Sequence, residues 1–107
     1  MSLKALKGQI LKILDEKKLE NIVEIDTSLF NRFSEICIIA SGTSLRHMHA
    51  IADFLLRFLK SEKLHAIIEK TDSWVLIEAC GIEIHLFKPE MREYYALEKL
   101  LTFNEEK

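Results

Sequence analysis

The stretch WVLIEACGIEIHLF, Trp74 to Phe87, decides the fold because it reads as two short strands joined by a tight turn. Cys80 and Gly81 are the two turn residues, and a two-residue turn fixes how the flanking residues pair. Successive side chains of a strand point to opposite faces of its sheet. One face of this hairpin is therefore predicted to be wholly apolar, with the side chains of Val75, Ile77, Ala79, Ile82, Ile84 and Leu86.

The opposite face of the predicted hairpin is mixed in character. Its facing pairs are Trp74 with Phe87, Leu76 with His85, and Glu78 with Glu83. Two carboxylates that face each other repel, at a modest cost when they are solvated. An exposed apolar patch with an acidic end is typical of an interaction site, and tryptophan is frequent among binding hot spots. The alternative is that the first or the last helix of the chain covers this face as a second core layer.

Apolar periodicity divides the rest of the chain into helices and strands. The predicted elements outside the hairpin are a helix over 2–18 with Ser2 as its cap, strands over 21–26 and 36–40, a helix over about 45–60, a strand over 65–70 and a helix over about 89–101. The uninterrupted apolar run ICIIA at 36–40 is typical of a strand buried on both faces. This order predicts a single α/β or α+β domain over 1–107, with a mixed sheet and flanking helices.

Composition and charge exclude several functional classes. The 107 residues are 49% apolar and 30% charged, which is ordinary for a globular protein. No apolar run approaches the length of a membrane span, and the N-terminus lacks the layout of a targeting peptide. The net charge is −2, and at most two basic residues are adjacent, which argues against direct nucleic-acid binding. Two cysteines without a CxxC spacing favour the reducing cytoplasm, with Cys37 as a small core residue.

Two polar features of the sequence bear on catalysis and ligand binding. The turn ASGTS, Ala40 to Ser44, has the form of an anion cradle at a helix start, and it equally fits a turn in which Thr43 or Ser44 caps the helix. A nucleotidyltransferase needs paired carboxylates on a neighbouring strand, and neither Asp53 nor Asp72 has an acidic partner two residues away.

The four histidines are not spaced as metal ligands. His47 and His49 point about 200° apart on a helix, and His65 and His85 lie on different strands with no cysteine placed to join them. The sequence thus predicts no catalytic group, no metal site and no cofactor.

Three segments carry a resemblance to a known family. They are IIASGTSLRHMHAIAD from Ile38 to Asp53, the hairpin itself, and REYYALEKLL from Arg92 to Leu101. In this order and spacing, over about 21–101, the chain resembles the ribosomal silencing factor family, also called the Iojap family. The resemblance implies a small mixed α/β domain with the shape of a nucleotidyltransferase and without its catalytic carboxylates.

The resemblance also implies a function, which is steric repression of translation. Members of the family bind the large ribosomal subunit through its protein L-fourteen, block association with the small subunit, and lower translation when nutrients are scarce. Neither a catalytic residue nor a cofactor is implied. The residues carried over as partner-contacting candidates are Trp74, Leu76, Glu78, His85 and Phe87, with Glu69 and Lys70 flanking the same edge.

The remaining motif residues are assigned structural roles. Shape and helix capping are expected of Ser41, Gly42, Ser44 and Arg46, and packing is expected of Tyr94, Tyr95 and Glu98. The chain departs from the family pattern at Glu35, Glu69-Lys70, Glu78 and Leu101, where the family often has Asp, Glu-Gly, Asp and Trp. Two other hypotheses stay open: a nucleotide-binding enzyme of nucleotidyltransferase ancestry that uses the turn at 41–44, and a homodimer that buries the patch against itself.

Overall fold

The computed structural model describes residues 2–28 and 35–90, which form two helices and one five-stranded sheet. The elements are α1 (Leu3–Glu16), β1 (Glu20–Asp26), β2 (Ile36–Ser41), α2 (Leu45–Ser61), β3 (Ile67–Lys70), β4 (Trp74–Ala79) and β5 (Ile82–Phe87). The predicted α+β class with a mixed sheet is confirmed. The predicted last helix, which includes Tyr94, Tyr95 and Glu98, lies outside the described residues beyond Glu90. Neither α1 nor α2 is long and apolar enough to cross a membrane.

Both helices begin at the serine caps that the sequence predicts. The hydroxyl of Ser2 accepts a hydrogen bond from the backbone N–H of Ala5 at 3.1 Å. The hydroxyl of Ser44 accepts one from the N–H of His47 at 3.0 Å. Each bond satisfies an N–H group that lacks a partner within its helix. Five residues of α2 are buried, as the helical period requires, namely Met48, Ile51, Ala52, Leu55 and Leu59.

The strand order of the sheet is β1-β2-β5-β4-β3. Strand β2 runs parallel to β5, and the other three neighbouring pairs are antiparallel. The hairpin register is the predicted one, with Val75 opposite Leu86 and Trp74 opposite Phe87. Cys80 and Gly81 have φ values of 52° and 84°. Positive φ at both turn residues is the requirement of the turn type that matches the twist of a hairpin.

Both described helices pack on one face of the sheet, which we call the helix face. Its core joins three buried residues of α1 and five of α2 to the alternate residues of β4 and β5, among them Val75, Ile77, Ile82, Ile84 and Leu86. The first helix therefore packs against the apolar face and does not cover the mixed one. The prediction of a strand buried on both faces is confirmed for β2, because every residue from Cys37 to Ser41 is buried.

The third strand is shorter than predicted. It begins at Ile67 and not at His65, although it ends at Lys70 as expected. Ile67 lies opposite Glu78, so the same register would place His65 opposite Cys80. Cys80 belongs to the hairpin turn, where β4 has already ended. The neighbouring strand thus limits the length of β3.

Candidate functional site

The face opposite the helices, which we call the second face, gathers most of the predicted contact residues. The sheet register assigns it alternate residues of β2, β3, β4 and β5: Cys37, Ile39, Ser41, Ile67, Glu69, Trp74, Leu76, Glu78, Glu83, His85 and Phe87. Of the seven predicted partner-contacting residues, six lie on this face. The exception is Lys70.

Exposure on the second face increases from β2 toward β3. Cys37 and Ile39 are fully buried, and Trp74, Leu76 and Glu78 are half-buried. At the β3 edge, Ile67 is 55% exposed, and no other large apolar side chain of the described residues is exposed. Neither Trp74 nor Leu76 is sealed from solvent.

Sequence reasoning did not include Ile67 in the contact set. The signal was available, since Ile67 lies two residues before Glu69 and a strand repeats its faces every second residue. The exposed isoleucine extends the apolar part of the patch to the sheet edge, where it lies beside the acidic side chain of Glu78.

Three rings form a row along the β4–β5 side of this face. The ring centroids of Trp74 and Phe87 are 6.1 Å apart with a tilt of 33°. His85 stacks on the other side of Phe87, with centroids 6.2 Å apart and an angle of 6°. Ring pairs at such separations are favourable and hold one another in fixed orientations. Phe87 is only 5% exposed, so Trp74 and His85 are the rings of this row that reach solvent, and the predicted contact residue Phe87 lies beneath them.

The acidic end of the second face lies at the turn end of the hairpin. Glu78 is opposite Glu83, as predicted. The carboxylate oxygen Oε1 of Glu83 lies 3.2 Å from Nε2 of His85. When His85 carries a proton on that nitrogen, the contact compensates part of the repulsion between the two glutamates. Glu83 thereby belongs to a polar group around His85, while Glu78 faces the β3 edge.

Cys37 lies next to this polar group, a neighbour that the sequence did not indicate. The ligand atoms of Cys37, Glu83 and His85 are all within 4.8 Å of one another. Burial, together with the nearby charge of Glu83, raises the pKa of the Cys37 thiol to about 12. The parallel pairing of β2 with β5 brings Cys37 opposite Glu83, and pairing between strands so distant in sequence leaves no local signal.

Lys70 points to the helix side. Its ammonium Nζ lies 2.9 Å from the carboxylate Oδ1 of Asp53 on α2. This hydrogen bond and charge lower the pKa of the Asp53 carboxyl. Lys70 therefore joins β3 to α2, and its neighbour Glu69 lies on the second face opposite Leu76.

The turn at 41–44 uses its polar groups within the protein. The N–H of Gly42 donates to the carbonyl of Phe87 at 3.0 Å. The N–H of Thr43 donates to Nδ1 of His47 at 3.3 Å. Since Nδ1 is an acceptor, Nε2 of His47 carries the hydrogen and donates to the carbonyl of Lys17 at 3.0 Å. These bonds support the capping interpretation over an anion cradle, which needs free N–H groups.

The sequence profile of the family described as ribosomal silencing factor during starvation matches residues 1–107. The chain belongs to the ribosomal silencing factor family. The family name identifies its members as regulators of ribosomes, so the function of this chain lies in the silencing of translation on the ribosome. The Iojap resemblance is thereby confirmed.

Other ribosomal silencing factors are similar to the chain in sequence and in structure. The one from Zymomonas mobilis is 33% identical over 98 residues, covering 87% of this chain and 72% of the relative. A crystal structure of a protein from Chromobacterium violaceum superimposes with a TM-score of 0.86 at 28% identity, covering 94% of this chain and 87% of that one. A crystal structure from Bacillus halodurans gives 0.80 at 27% identity, covering 91% and 93%.

A mouse protein named mitochondrial assembly of ribosomal large subunit protein 1 is also similar to this chain. It is 33% identical to this chain over 99 residues. The alignment covers 87% of this chain and 43% of the mouse protein, so the chain spans less than half the length of that relative.

Proposed function

We propose that this ribosomal silencing factor uses the second face to bind the large ribosomal subunit through protein L-fourteen and sterically blocks the small subunit. One observation carries the proposal. Trp74 and Leu76 are half-buried on a sheet face that neither α1 nor α2 covers. The name of the mouse relative refers to the large ribosomal subunit, which favours that subunit over the small one.

The chemistry of the second face suits a basic protein partner. Trp74, held in place by the buried ring of Phe87, offers a rigid aromatic anchor, and Ile67 and Leu76 widen its apolar area. Glu78 and the exposed Glu69 add negative charge around that area. Electrostatic matching speeds the encounter and orients the partners, while buried aromatic groups provide most of the affinity.

The proposed mechanism requires occupancy of a surface and no bond making. A domain bound where the two subunits meet excludes the small subunit through its volume. On this mechanism the polar groups of the 41–44 turn stabilise the fold. They cap α2 and form the hydrogen bond between Thr43 and His47. Repression on this mechanism depends on affinity and concentration, and a loss of binding is a loss of function.

Co-sedimentation of the full chain with purified large subunits tests the proposed surface. We expect Trp74→Ala and Glu78→Lys to remain folded and to lose binding by about tenfold or more, as is typical of hot-spot residues. Phe54→Ala is the matched aromatic control, because Phe54 is half-buried on α2 and contacts Lys17 at 4.1 Å. Glu62→Lys is the matched charge control, because Glu62 is exposed at the end of α2.

If Trp74→Ala and Glu78→Lys both bind large subunits as tightly as the parent protein, another surface of the chain contacts the ribosome. Binding of isolated L-fourteen to the parent, and its loss in Trp74→Ala, identifies the contacted protein. Light scattering of subunit mixtures then measures joining, which the parent should suppress and Trp74→Ala should not. Light scattering of the chain alone gives its mass in solution. If the parent protein is a dimer and the Trp74→Glu variant is a monomer, the second face is a self-association surface instead.

A further inference from the structure

Cys37, Glu83 and His85 bring three metal-binding groups of different chemistry together on adjacent strands. We propose that they bind one zinc ion, or a chemically similar divalent transition metal, on the second face. The metal site shares His85 with the proposed docking surface, but it can be tested separately, because the isolated chain can bind a metal ion without a ribosome.

The sheet register places the three groups without any loop. Cys37 on β2 is opposite Glu83 on β5, and His85 follows two residues later on the same face of β5. Both strands are interior to the five-stranded sheet, with neighbours on each side. Ligands carried by interior strands are held in position by the hydrogen bonds of the sheet, which favours a preorganised site.

The distances are close to those of a tetrahedral site. Metal–ligand bonds of about 2.0–2.3 Å imply ligand atoms about 3.3–3.8 Å apart around zinc. Oε1 of Glu83 and Nε2 of His85 are already 3.2 Å apart. The sulfur of Cys37 is within 4.8 Å of both partners, so a side-chain movement of about 1 Å closes the set.

The ligand types favour zinc over magnesium or calcium. A thiolate and an imidazole are the donors that zinc prefers, whereas the two hard cations prefer oxygen alone. One cysteine, one histidine and one carboxylate leave a fourth position for water or a partner group. Binding displaces the proton of the Cys37 thiol into solvent, as metal coordination by cysteine requires.

The surroundings of His85 and Glu83 also suit metal ligands. His85 is stacked against Phe87, which fixes the plane of its ring. The side chains of Glu83 and His85 are 16% and 17% exposed, so an ion can reach them from solvent.

Cobalt titration of the purified full chain tests the site, because Co²⁺ replaces Zn²⁺ and gives an absorption band when bound to a thiolate. We expect binding of one equivalent, a cobalt–thiolate band, and loss of that band when zinc is added. Cys37→Ala should abolish the band, and His85→Gln and Glu83→Gln should each weaken binding by about tenfold or more. Cys80→Ser, which removes the exposed thiol, is the matched control and should behave as the parent.

A thermal melt with zinc alone gives a second readout that does not depend on the cysteine variant folding. Zinc should raise the Tm of the parent and of Cys80→Ser, and should raise that of His85→Gln by less at the same zinc concentration, because the gain in stability falls as binding weakens. His65→Gln, at an exposed histidine away from the group, should respond as the parent does. Three results would overturn the site. The cobalt band could persist in Cys37→Ala, it could be lost in Cys80→Ser, or the parent protein could neither bind cobalt nor respond to zinc.

Discussion

The two faces of the hairpin come from the same fourteen residues and have opposite compositions. On the helix face, every alternate residue from Val75 to Leu86 is apolar and buried. On the second face, Trp74, Glu78 and His85 mix aromatic, acidic and titratable groups, and all three are half-buried. Both sets use the same backbone hydrogen bonds, so the difference lies in the side chains alone.

The contrast separates what the fold requires from what the function adds. The helix face follows from burial, since α1 and α2 need an apolar surface to pack on. Stability does not require two facing glutamates, a half-exposed tryptophan or an exposed isoleucine on the other face. Residues that the fold does not explain are the best candidates for binding.

The largest difference between the faces is expected from truncation of neighbouring residues on β4. Ile77→Ala removes a fully buried side chain and should lower the free energy of unfolding by about 2–5 kcal/mol. Leu76→Ala, one residue away on the second face, should cost about 1 kcal/mol, because Leu76 is only half-buried. Urea denaturation measures both values. Equal costs would mean that the second face is a core layer as well.

A smaller effect tests how tightly the helix face is packed. In Gly42→Ala the added methyl group would collide with Cγ of Met48, which is fully buried. Such overpacking costs about 1–3 kcal/mol. Gly8→Ala is the control, because an added methyl group there meets nothing within 4 Å and replaces a helical glycine. It should stabilise the protein by about 0.5–1 kcal/mol.

Tm values from calorimetry give the sign of each change in these glycine variants. A Gly42→Ala protein as stable as the parent would show that Met48 moves aside easily, and that packing near the 41–44 turn is loose.

The smallest expected effect is a gain in stability on the second face. Glu78→Gln removes the repulsion between Glu78 and Glu83 and should stabilise the fold by about 0.2–1 kcal/mol. Under the proposed function the same change weakens ribosome binding, so stability and binding move in opposite directions. Glu62→Gln, at an exposed glutamate outside the hairpin, should alter neither. Paired measurement of urea midpoints and co-sedimentation checks this, and a stable variant that binds better than the parent would contradict it.

Local sequence signals predicted the hairpin and the helix starts. The turn at Cys80-Gly81 fixes its register through contacts a few residues apart, and Ser2 and Ser44 cap helices through bonds to residues three positions away. Family resemblance, and not the pattern of residues, indicated the ribosome.

Contacts between distant segments could not be predicted in the same way. Nothing near Cys37 in the sequence indicates that β2 runs parallel to β5, which alone places its thiol beside His85. Lys70 is different. The alternation of strand faces separates it from Glu69, so its place on the helix side was within reach of the sequence, whereas its partner Asp53 was not.

The left-handed turn at Cys80 has a practical consequence for experiments on docking. The chain has two cysteines, and only the one at the hairpin tip is exposed to solvent. Burial protects the other from alkylating reagents, since its thiol stays protonated at neutral pH. A maleimide dye would therefore attach at one position, beside the proposed ribosome-binding surface but outside it, and its fluorescence would report each arrival of a partner without any engineered mutation.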